Sequence, residues 1–195
     1  MVPFIGLTGG IGAGKSTALD ALHRLGAETV STDQIVHQLY RDPEVMRAVT
    51  KRFGADLVSD GRIDRATLAT RAFATPVDRE WLEGLLWPRV AERIFAWREE
   101  LARRESPPRA AVVEVPLLFE AGMEGVFDDT IAVIAEEELR AARAGGRGHA
   151  ALEERAARQL SQQEKAARAG HVVVNDGTVA ELESELSDIL EKLSG

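Results

Sequence analysis

The chain has 195 residues, a formal net charge of −8 and a hydrophobic share of 45%. That length holds one full domain with room for a small inserted subdomain, and the acidic balance argues against a broad nucleic-acid or anionic-membrane surface. There are no cysteines, which excludes disulfides, thiolate metal sites and a cysteine nucleophile.

The opening residues, MVPFIGLTGG, carry no basic stretch ahead of an apolar one, and runs such as VPLLF are too short to span a bilayer. The expectation is a cytoplasmic protein with no membrane contact and no nucleic-acid partner. Oligomeric state is left open between a monomer and a weak homo-oligomer.

Pro3 to Thr8 is a short apolar run ended by glycines and reads as a buried strand. Lys15 to Leu25 has leucines near helical spacing and stops at Gly26. Ala27 to Thr32 reads as a second strand. From Asp33 to about Arg104 the pattern is mostly helical, with Pro43, Gly54, Gly61, Pro76 and Pro88 as punctuation. Buried strands follow at Ala110–Val115 and Thr130–Ala135. A Glu- and Arg-rich helix interrupted by Gly145–Gly148 comes next, then a strand at His171–Asn175 and an amphipathic helix at Val179–Leu193. Strands alternating with helices predict a parallel sheet covered on both faces. The helical stretch between the second and third strands reads as an insertion on that core.

Gly9-x-x-x-x-Gly14-Lys15-Ser16 fits the phosphate-binding loop pattern and lies between a predicted strand and a predicted helix. Gly9, Gly10, Ile11, Gly12, Ala13 and Gly14 can turn backbone N–H groups toward phosphates, and the following helix points its positive end at them. Lys15 can reach β and γ oxygens, Thr17 continues the loop, and the Ser16 hydroxyl can ligate Mg²⁺. The sequence holds neither a guanine-reading Asn-Lys-x-Asp nor an Asp-x-x-Gly loop, so a GTP switch is disfavoured. Asp33 directly follows the second predicted strand. The carboxyl end of a parallel strand is where ligands bind, so Asp33 can accept a proton from an attacking hydroxyl, help hold Mg²⁺ through water, or cap a helix.

On these motifs the chain resembles the dephospho-CoA kinase family, across nearly its whole length. GLTGGIGAGKST, STDQIVHQL, DGRIDRATLATRAF, WLEGLLWPRV, VPLLFE and HVVVNDG are each similar to a family segment. The resemblance implies an α/β fold of the P-loop NTPase type: a parallel β-sheet flanked by helices, with a helical substrate-binding insertion at about 34–104 and a flexible lid at about 140–165. The core of the single kinase domain would be about 1–33 and 105–195. The implied reaction moves the γ-phosphate of ATP, with Mg²⁺, to the ribose 3′-hydroxyl of dephospho-CoA. The readings kept beside it are another small-molecule P-loop kinase, acting on a nucleoside or nucleotide, and a non-catalytic nucleotide-binding regulator.

By resemblance, Asp33 is the base, while Lys15 and the lid arginines Arg140, Arg143 and Arg147 carry charge on the transferred group. Asn175 and Gly177 would shape the adenine pocket. Arg65, Trp87, Pro116, Leu117, Leu118 and Glu120, with Asp33, would face the acceptor. Two positions depart from the family pattern: Ser31 stands where an acid is frequent, and Trp87 where a histidine is usual. Arg65 pairing with Asp64, a turn at Asn175–Gly177 and helix-core packing of Trp81, Trp87 and Trp97 are the structural alternatives.

Overall fold

The computed structural model describes residues 2–144 and 159–194. β1 (Phe4–Gly9) leads through a glycine loop into α1 (Lys15–Arg24), and β2 (Glu28–Ser31) runs directly into α2 (Thr32–Leu39). Next come α3 (Pro43–Phe53), a hairpin of β3 (Val58–Ser59) and β4 (Arg62–Ile63), α4 (Arg65–Ala72) and the long α5 (Pro76–Ala102). The chain returns through β5 (Ala111–Glu114), β6 (Asp129–Ile134), α6 (Glu137–Ala144), α7 (Gln162–Arg168), β7 (His171–Val174) and α8 (Val179–Ser194). The expected strands all form, with ends displaced by a residue or two.

The main sheet is parallel throughout, in the order β2-β5-β1-β6-β7, so the phosphate-loop strand is central. Side chains alternate between its two covered faces. Phe4, Ala111 and Val113 point to one side, where they join Leu82, Leu86 and Val90 of α5 and Val45, Val49, Leu57 and Leu68 of the insertion in one buried cluster. Ile5, Leu7, Val112, Ile131 and Val173 point to the other, against Ala18 and Leu22 of α1 and Leu182, Leu186 and Leu190 of α8. Among the described residues, no helix is long and apolar enough to cross a membrane.

Two features of residues 34–104 differ from the mostly helical reading. The β3–β4 hairpin turns at Asp60 and Gly61, both with positive φ (50° and 69°), the geometry for which an Asp-Gly pair is suited. Pro88 does not end a helix: α5 runs through it for 27 residues, about 40 Å at 1.5 Å per residue. A proline at this depth lacks an N–H and crowds the carbonyl four residues back. That residue is Gly84, beside which there is open space, and Arg89 spends its guanidinium on the Leu85 carbonyl at 2.9 Å.

Candidate active site

At the end of β1 the loop reaches α1 through Gly14, whose φ of 93° lies in the left-handed region. A side chain there would overlap the Asn175 amide. No side chain caps the N-terminus of α1, so its first N–H groups are left to an anion. The Lys15 ammonium lies over the loop, donating to the carbonyls of Gly9 and Gly10 at 3.1 Å each. Ser16 is exposed in the first turn of α1.

Two side chains from the far end of the sequence grip this loop, and a third holds one of them. Asn175, just past β7 and 6% exposed, donates through Nδ2 to the Ala13 carbonyl at 2.9 Å. Arg140 of α6 donates through Nε to the Ile11 carbonyl at 3.0 Å and pairs with Glu137 at 2.6 Å. Arg143 donates to the Asn175 carbonyl at 3.0 Å. Arg140 and Arg143 therefore both stand at the phosphate loop, and Arg147 lies outside the described residues. Gly177 leaves room for Glu181, whose carboxylate accepts from the Thr178 N–H at 2.7 Å while Thr178 accepts from the Glu181 N–H at 3.3 Å. That reciprocal pair starts α8 in the manner of a capping box.

Beyond the carboxyl ends of β2 and β5 lies a cavity of about 280 Å³. Asp33, Arg65, Trp87, Pro116 and Leu117 all line it. Asp33 does not take the capping position: Ser31 stands there, and Asp33 sits inside the first turn of α2. Thr32 fastens that turn to β5 by donating to the Glu114 carbonyl at 3.0 Å. Arg65 is not paired with Asp64, whose carboxylate caps α4 by accepting from Ala66 and Thr67. Its guanidinium meets His37 Nε2 instead. Burial first, and the Arg65 charge second, hold the His37 pKa below its usual value. Burial also pushes the nearby Tyr40 up to about 12. Trp87 is 37% exposed and faces the cavity, whereas Trp81 and Trp97 pack on the hydrophobic cluster of the insertion.

Two residues expected at the acceptor are elsewhere. Leu118 is fully buried with its Cδ1 close over Gly6. Glu120 does not line the cavity. Its carboxylate pairs at 2.8 Å with Lys165, which has no exposed surface, because a buried ammonium demands a charged partner. Burial pushes the Lys165 pKa down, and the Glu120 hydrogen bond and charge oppose that.

Sequence reading passed over His37, Tyr40, Lys165 and Glu114. Glu114 ends β5 in register with Leu7 of β1 and Ser31 of β2. Alternation puts it on the side of Val112, which α1 covers. An acid closing the apolar run AAVVEV was the available signal.

The model of the family described as dephospho-CoA kinase matches residues 3–181. The dephospho-CoA kinase of Chlorobaculum tepidum is 38% identical to this chain, over 97% of this chain and 94% of its own length. A crystal structure from Thermus thermophilus is similar with a TM-score of 0.77 and 36% identity, covering 100% of this chain and 99% of that one. A dephospho-CoA kinase structure from Campylobacter jejuni, at 23% identity, shares the fold with a TM-score of 0.64, covering 98% and 97% of the two chains.

Proposed function

The chain belongs to the dephospho-CoA kinase family, and on that premise we propose how its residues divide the ATP-dependent phosphorylation of dephospho-CoA. Residues about 34–104 serve as the acceptor-binding insertion of a single kinase domain with core about 1–33 and 105–195. The cavity takes the acceptor, and the loop Gly9–Thr17 takes the triphosphate.

Asp33 accepts the proton of the ribose 3′-hydroxyl as that oxygen bonds to the γ-phosphorus. The bond to the β–γ bridging oxygen breaks, and ADP leaves. Lys15 exchanges its loop carbonyls for phosphate oxygens. Arg140 and Arg143, already at the loop, spread charge over the transferred group, and Arg147 is assigned to the same segment. With a loose transition state, positioning and electrostatics supply most of the rate. Asn175 and Gly177 border the adenine side. Arg65 and Trp87 face an anionic group and a flat ring of the acceptor, with Pro116 and Leu117 as the floor.

Among the described residues, no cluster of three or more His, Asp or Glu could hold a metal by itself. A cation carried in with nucleotide phosphates needs only a hydroxyl and water-bridged acids from the protein. The exposed Ser16 hydroxyl fits that role, with Glu114 and Asp33 as the outer acids. Mg²⁺ bound there would neutralise charge on the β and γ oxygens.

The observation that carries this reading is Asp33 in the first turn of α2, lining one cavity together with Arg65 and Trp87. ADP release by the purified protein with ATP and Mg²⁺ tests it, comparing no acceptor, dephospho-CoA, CoA and a nucleoside panel. Release triggered by dephospho-CoA alone is expected. Release triggered by a nucleoside instead would remove the acceptor assignment.

A further inference from the structure

Lys165 is the only ionisable side chain with no exposed surface among the described residues. Its ammonium has three protons, and each finds an acceptor from a different place in the chain. Nζ lies 2.8 Å from the Pro116 carbonyl, 3.3 Å from Thr8 Oγ1 and 2.8 Å from Glu120 Oε1. Thr8 is the residue before Gly9 of the phosphate loop. Pro116 lines the acceptor cavity. The same Glu120 oxygen accepts from the Leu160 N–H at 2.8 Å, and Gln159 also donates to Pro116, at 3.4 Å.

A buried ion pair is poor value as a stabiliser, because desolvation offsets most of the attraction and apolar side chains of similar size do as well. Here the pair also carries a flaw: Glu120 Oε2 is buried with no hydrogen-bond partner among the described residues. Directional bonds do something apolar packing cannot. They fix the spacing of the segments they join. Those segments are the strand feeding the triphosphate loop, the floor of the acceptor cavity, and Gln159–Leu160 just ahead of α7.

We infer that Lys165, held by Glu120, is a positioning residue: it sets the separation between the phosphate loop and the Pro116–Leu117 floor, and so between donor and acceptor. The inference rests on the reading of the cavity as the acceptor site.

The test compares Lys165→Met with the double variant Lys165→Met/Glu120→Leu, which replaces the pair by apolar groups. Melting temperature, both KM values and kcat are measured, with Arg65→Ala run in parallel. Lys165→Met strands a buried carboxylate and should lower the melting temperature. The double variant should regain it while kcat/KM for dephospho-CoA stays about 10²-fold below wild type, the scale of a 1 Å misplacement, and KM for ATP moves less than about threefold. A double variant with wild-type stability and wild-type kcat/KM would overturn the inference. Should both fail to fold, Thr8→Val decides. It keeps the shape and removes the hydroxyl that accepts from Lys165 at 3.3 Å and donates to the Pro116 carbonyl at 3.4 Å, so kcat of the folded protein should fall; an unchanged kcat overturns the proposal. Arg65→Ala separates the two levels. If it raises KM for dephospho-CoA while the Lys165 variants behave as wild type, the cavity reading stands and only the positioning role falls.

Discussion

Asn175 donates its side-chain amide to the Ala13 carbonyl across 162 residues of sequence, and Gly14 is the position that must stay bare to let it in. The bond fixes the triphosphate loop from outside. Asn175→Ala should therefore raise KM for ATP by roughly 10-fold, the upper scale for losing one buried hydrogen bond. Asn175→Asp should be worse, since it sets a carboxylate against a carbonyl. Steady-state kinetics at varied ATP checks both. A wild-type KM in both variants would mean the loop holds its shape alone.

Asp33→Asn keeps size and hydrogen bonding and removes the base. Turnover should drop by about 10²–10⁴-fold, the usual worth of general base catalysis, with KM for ATP within about threefold. Single-turnover phosphotransfer gives the chemical step directly. A variant with wild-type turnover would leave Asp33 as only the first turn of α2.

His37 lines the cavity proposed to take the acceptor and should report on it. Burial and Arg65 keep its pKa below the usual histidine value, so it is neutral at pH 7. An anionic acceptor placed against Arg65 offsets that positive charge and should raise the His37 pKa, as Arg65→Ala should too. Proton NMR of the imidazole across pH 4–8, with and without dephospho-CoA, follows it. A downward move on binding would place the anionic group elsewhere.

Three carboxylates, the exposed Asp56 and Asp64 between α3 and α5 and the half-buried Asp78 in the first turn of α5, are held below the usual carboxylate range. For Asp56 the cause is the hydrogen bond from Arg71; for Asp64, that from Thr67; for Asp78, that from Thr75, then Arg52. Their folded pKa values are lowered, so the unfolded chain takes up protons first as pH falls. Their stabilisation is complete above the ordinary value of about 4 and disappears as pH drops through the lower folded values. Replacing all three by Asn should flatten the fall of the urea midpoint between about pH 5 and pH 2. An unchanged slope would assign acid sensitivity to other groups.

Glu114→Gln tests the second acid at the carboxyl end of the sheet. If it orients water on the nucleotide-borne cation, the Mg²⁺ concentration for half-maximal rate should rise about 10-fold or more, the scale for outer ligands. The same demand for Mg²⁺ in the variant would limit Glu114 to a strand end.

What was legible in the sequence was local. The strands of the core are short apolar runs bounded by glycine, and the phosphate loop is a contiguous pattern, so neither needs a partner far away to be read. Asp33 was visible for the same reason, because it follows a strand directly. Glu120 looked like an acceptor residue because it closes the same VPLLFE segment as Pro116 and Leu117, which do line the cavity; only the fold brings Lys165 to it. The β3–β4 hairpin was missed although Asp60-Gly61 marks it, because strands of two residues have no alternation to detect. Pro88 misled because the space beside Gly84 that absorbs it is a property of three dimensions. Asn175 offered a plausible turn, and its grip on Ala13 had no local trace.

Phe4 and Val113 of the sheet, Leu68 of α4 and Leu82 and Leu86 of α5 belong to one buried cluster. The segment about 34–104 is thus not a detachable module. Grafting another kinase's 34–104 segment here would require recutting the face of the sheet beneath it, and a destabilising change in that segment would melt the nucleotide site with it. On the acceptor role proposed for the cavity, single substitutions among its lining residues, such as Trp87, are expected to alter acceptor choice more readily than exchange of the whole segment.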